Sequence, residues 1–295
     1  MNVTVSTSKK SRQKMQFKKI KPRRRIDSSK HLQHSMNAIY ALTKRLYIQL
    51  YRRPASLVSG IIQPLLWLIL FGALFQNAPV DLLTSNIKYG DFLSPGIIVF
   101  TAFTGSINAG LPLMFDREFG FLNRLMVAPM KSRDSLFNSL IFFITSTTVI
   151  QTSFIIICSF IIFHHNINFT NLILIHTIIL ITTLSIASVS ICLAFILPGH
   201  IELLAFILVV NLPTLFSSTA LAPLSFMPYW LQIIAKINPL TYAIESTRRI
   251  YFAEQIITIQ NAWSNLNYYN SIYILIFVNI ISFISVKLII SRKFE

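Results

Sequence analysis

Gly105 and Gly110 stand at the glycine spacing of a phosphate-binding loop. Such a loop cradles phosphate with backbone N–H groups and adds a lysine for charge and a Ser or Thr for Mg2+. Here Leu111 and Pro112 follow the second glycine. The residues that would do the chemistry are missing, so the chain is not expected to bind ATP by itself. The histidines, at 31, 34, 164, 165, 176 and 200, show no His-Glu-x-x-His spacing. His164 and His165 sit in a polar stretch, where a solvated loop is a simpler reading than a metal site. Cys158 and Cys192 lie in apolar runs and offer neither a disulfide framework nor metal-ligand spacing. Hydroxyl residues are plentiful, but no nucleophile elbow frames one. No catalytic residue, cofactor or metal is expected in this chain.

One stretch does carry a pattern. In "MFDREFGFLNRLMVAP", Met114–Pro129, Asp116, Arg117 and Glu118 precede a run with helical apolar spacing. If this run is helical, Phe119, Leu122 and Met126 share one face, while Arg117 and Arg124 share another. A patch of this kind fits a membrane-surface loop or a groove on a partner.

The elements around it are apolar. The 295 residues are 54% hydrophobic and only 12% charged, about half the charge of a soluble domain, which is near 25%. The net charge of +16 is concentrated at the start: Lys9–Lys30 holds eleven of the 26 basic residues. A basic tail ahead of apolar segments fits a cytoplasmic tail better than a nucleic-acid surface, so no nucleic acid is expected as a partner. The first 35 residues lack the apolar core of a secretory signal. The chain is heavy in Ile, Phe, Asn and Lys, a bias that suits an AT-rich bacterial or plastid genome.

Six membrane helices are expected, near 57–75, 93–114, 136–163, 172–197, 203–218 and 272–290, each approaching the ~20 apolar residues that a span needs. Small residues in the second (Gly96, Gly105, Ser106, Ala109, Gly110) would let helices approach closely. Basic residues at 44–53, 117–133 and 287–293 then fall on one side, placing both termini in the cytoplasm or stroma. Residues 1–36 form a basic tail expected to be disordered, 37–53 an amphipathic surface helix ending before Pro54, and 54–295 the transmembrane domain. The segment 219–270 is too apolar for a solvated loop and too broken by Pro223, Pro228 and Pro239 to span. It reads as two short external helices that dip into the bilayer and return, with Asn238 as N-cap and Pro239 at the first helical position. The fold class is therefore all-α integral membrane. The spans hold no mid-membrane ionisable group, which counts against a proton-coupled carrier.

"DREFG" at 116–120 with "NRLMVAP" at 123–129, and "MPYWLQIIAKINPLTYAIESTRR" at 227–249, resemble permease subunits of type-2 ABC transporters, exporters of drugs, polysaccharides, lipids and nodulation factors. The resemblance covers roughly 45–290 and suggests a plastid-encoded or related bacterial member. It implies that two permease copies pair, as a homodimer or heterodimer, and dock on ABC ATP-binding subunits that hold ATP and Mg2+. It also implies that the segment between spans two and three couples to the ATPase, through Asp116, Arg117, Glu118, Gly120, Leu122, Arg124 and Leu125. Family members often have an acidic residue where Asn123 stands and a small polar one where Phe121 stands. The external re-entrant motif would comprise Pro228, Trp230, Asn238, Pro239 and Tyr242. On this resemblance the chain is a non-enzymatic permease in a plastid membrane or bacterial inner membrane. The residues alone leave open a stand-alone carrier or channel, or a membrane subunit of a haem-export or cytochrome-maturation system.

Overall fold

A computed structural model describes residues 31–75, 89–127, 134–163, 168–252 and 268–294. The described residues are helical and contain no strand. His164 and His165 lie outside them.

Helix α1 (His31–Arg52) begins six residues earlier than the apolar spacing at 37–53 suggested. Its buried Thr43 and Leu46 face the bundle. Tyr47 packs edge-on against Phe143 at 5.3 Å and hydrogen-bonds Ser146. The amphipathic face therefore rests on another helix of the same chain. Pro54 breaks the chain where expected, and α2 (Ala55–Leu74) starts directly after it.

The next segment is split. Helix α3 (Tyr89–Ile107) and helix α4 (Gly110–Glu118) are interrupted at Asn108–Ala109. A break inside a helix leaves backbone groups without partners. Ser190 supplies both: its hydroxyl accepts from Gly110 N–H at 2.9 Å and donates to the Ile107 carbonyl. A side chain at Gly110 would meet the Ser190 carbonyl at 2.5 Å, and one at Gly105 would meet Thr148 at 2.7 Å. The two glycines that imitate a phosphate loop thus serve close helix packing.

Helix α5 (Phe121–Val127) follows a tight turn, and then come α6 (Asp134–Phe163), α7 (Phe169–Ile196) and α8 (His200–Phe216). After a 3-10 turn at Leu224–Phe226 come α9 (Tyr229–Ile237), α10 (Pro239–Tyr251) and α11 (Tyr268–Phe294). Helices α3 and α7 form the centre, contacted by α2, α4, α6, α10 and α11. Helix α2 turns most of its surface outward, as does the apolar α8.

Among the described residues, four helical segments are long and apolar enough to cross a membrane: Ala55–Leu74, Tyr89–Glu118, Ser135–Phe163 and Phe169–Ile196. The segments expected as fifth and sixth spans are helical, but their apolar stretches, His200–Phe216 and Ser271–Ser285, are shorter than the other four. Buried hydroxyls inside the helices mostly return to the preceding turn, as Thr101 does to the Ile97 carbonyl at 2.7 Å.

Candidate functional site

The charged residues Asp116, Arg117 and Glu118 form the end of α4, and each of the three reaches a different helix. Asp116 takes a bidentate pair from Arg45 of α1, with Nη1 donating to Oδ2 at 2.8 Å. The same guanidinium lies 3.7 Å from the centre of the Phe121 ring. Arg117 donates to four carbonyls at the end of α7: Ala194 at 2.8 Å, Phe195 at 3.3 Å, and Leu197 and Pro198 at 2.5 Å. A helix C-terminus exposes unpaired carbonyls and partial negative charge, so a guanidinium is well suited to close it. Glu118 does the converse for α8. Its Oε1 accepts from the His200 backbone N–H at 2.6 Å, and its Oε2 lies 2.5 Å from His200 Nδ1. A carboxylate at the first turn complements the positive end of that helix.

Gly120 ends α4 with φ +70°, the left-handed conformation that glycine adopts without penalty. The chain reverses there into α5. Leu122 turns inward and is only 5% exposed, whereas Phe119 is 77% exposed. Asn123 and Arg124 are also exposed, and Leu125 is half-buried. The structure thus gathers Asp116, Arg117, Glu118, Gly120, Leu122, Arg124 and Leu125 around one turn, but in two roles. The three charges and Leu122 engage the chain itself. Phe119, Asn123 and Arg124 form the outward surface. Helical spacing alone could not separate these roles, because it does not say which neighbours occupy a face.

The second motif forms a separate cluster. Pro228 precedes α9, whose Tyr229 and Trp230 are exposed. Asn238 caps α10 as expected, its Oδ1 accepting from Leu240 N–H at 3.0 Å, with Pro239 at the first helical position. Its Nδ2 also donates to the Thr214 carbonyl at 3.0 Å and to Ser217 Oγ at 3.2 Å, tying α10 to the end of α8. The Tyr242 hydroxyl closes α9 by donating to the Lys236 carbonyl at 2.8 Å.

Sequence reasoning missed Arg248. It is only 2% exposed, pairs with Glu245 at 2.6 Å and donates to the Thr219 carbonyl at 2.8 Å. Its guanidinium lies 3.9 Å over the Phe92 ring. Burial pulls its pKa below the ordinary arginine value, and Glu245 opposes that shift. A signal was present: a Glu three residues ahead of an Arg, in a segment otherwise too apolar for solvent. Among the described residues no group of His, Cys, Asp and Glu could hold a metal ion.

Residues 37–252 match the family model described as ABC-2 type transporter. The chain is 51% identical over 269 residues to a transport permease named ycf38 from Porphyra purpurea, covering 89% of this chain and 92% of that one. It is 49% identical to its namesake from Cyanophora paradoxa, covering 87% and 90%. At 22% identity, over 67% of this chain and 69% of the other, it is similar to the daunorubicin resistance ABC transporter permease protein DrrB1 of Streptomyces coeruleorubidus.

Proposed function

We propose, from the premise that this chain belongs to the ABC-2 type transporter family, that it forms the substrate path of an ATP-driven exporter powered by a separate ATP-binding subunit. That it is a multi-pass membrane permease subunit of an ABC transporter follows from the family match and its apolar helices. The export direction, the ATPase contact, the pairing with a second permease copy and a plastid membrane location are our reading. So are six spans, with both termini on the ATPase side, α1 along the membrane surface and α9–α10 dipping in from the other side.

The observation that carries the ATPase contact is the α4–α5 turn. It presents Phe119, Asn123 and Arg124 outward, while Asp116, Arg117 and Glu118 tie its base to α1, α7 and α8. A push on the exposed tip would reach three helices through charge-assisted hydrogen bonds, which are stronger than neutral ones. This suits a device that passes movement from an ATPase into the bundle. ATP and Mg2+ would be held by the partner, in keeping with the missing lysine after Gly110.

The test is co-purification of the tagged chain with its ATPase, followed by activity of each alone. The partner should hydrolyse ATP, the isolated chain should not, and transport into proteoliposomes should need both. Transport by the chain without an ATPase would establish the carrier reading instead.

A further inference from the structure

A cavity of about 920 Å³ opens between α1, α2, α4 and α6 and reaches Asn211 of α8. Its size is that of a small-molecule site, for which 300–1,000 Å³ is usual. The cavity runs from the level of Asp116 to that of Gly105, a depth of roughly 15 Å at the helical rise per residue. Its walls are mainly apolar, with Leu50, Leu57, Leu111 and Phe143 among them.

Two features mark what it would hold. The charged residues lining it are Arg45, Arg52, Arg53 and Asp116. Arg45 is spent on Asp116, whereas Arg52 and Arg53 are exposed and form no ion pair among the described residues. Two positive charges at the α1–α2 elbow thus line the cavity without an acidic partner among the described residues. At the inner end, Gln63, Asn108, Gln151 and Asn211 bring carboxamides into an apolar setting.

We propose that this cavity binds an elongated amphipathic organic anion. The acidic end sits at Arg52 and Arg53, and the apolar body lies along the leucine and phenylalanine wall. The uncharged inner amides select against a second charge there. Binding needs this chain alone, so it stands or falls separately from the ATPase contact proposed above.

The test uses the whole chain in nanodiscs of zwitterionic lipid and two radiolabelled probes at concentrations below micelle formation. Cholate has a carboxylate and ring hydroxyls; 5β-cholanate has the same skeleton and carboxylate without the hydroxyls. Both should bind saturably. R52Q with R53Q should weaken both by about tenfold or more, the worth of a charged hydrogen bond. An unchanged thermal midpoint shows that the variants are folded. Non-saturable uptake, or equal affinity in wild type and the arginine variants, would overturn the proposal.

Discussion

The guanidinium of Arg45 grips the carboxylate of Asp116 with both terminal nitrogens, joining α1 to the end of α4 across 71 residues of sequence. Both side chains are partly shielded from solvent. The pair is thus more than a surface contact, and it sits directly behind the outward tip of the α4–α5 turn.

If that pair transmits movement, its two residues should act as a unit. D116N and R45Q should each lower transport severalfold while leaving ATPase co-purification near wild type. A double-mutant cycle on transport rate should give a coupling of about 1 kcal/mol. Strictly additive effects would show that the two residues do not work through each other.

The tip and its base should separate by assay. F119S with R124E should abolish co-purification with the ATPase and leave the thermal midpoint unchanged, because both side chains are exposed. L122A should instead destabilise the chain by about 2–5 kcal/mol, as for other buried leucines. Intact co-purification of F119S/R124E would place the docking surface elsewhere.

Arg248 offers a test of a buried charge. E245Q leaves its guanidinium without a counter-charge and should cost about 3–5 kcal/mol in stability. R248M with E245L removes both charges and should cost far less. Thermal unfolding in detergent reads the difference; similar losses in the two variants would argue that packing against Phe92, not charge, holds α10 in place.

Asn238 has two separable duties. N238A loses the cap and both donor contacts and should cost about 2 kcal/mol. N238D keeps an oxygen for the Leu240 N–H but has no N–H for Thr214 or Ser217. It should fall between alanine and wild type in thermal midpoint, and a midpoint at or below that of N238A would contradict the capping role.

Sidedness can be read with single cysteines after replacing Cys158 and Cys192. W230C should react with an impermeant thiol reagent from one face of sealed vesicles, and R124C from the opposite face. Labelling of both from the same face would refute the six-span arrangement.

Much of this protein is written in local sequence. Uncharged apolar runs set the helices, since in a bilayer backbone groups must pair within their own segment. Pro54 fixed the break between α1 and α2, and Asn238–Pro239 fixed the start of α10, because proline geometry and side-chain capping act over a few residues. The absence of a phosphate-binding lysine after Gly110 was equally local. What required the tertiary structure was every relationship across long separations. Asp116, Arg117 and Glu118 look alike as surface charges in sequence, yet each serves a different helix, because three chain segments end within reach of one turn. The inward turn of Leu122, the burial of Arg248 and the Ser190 bridge at the α3–α4 break have the same origin. Helical periodicity tells which residues share a face; only packing decides what that face meets.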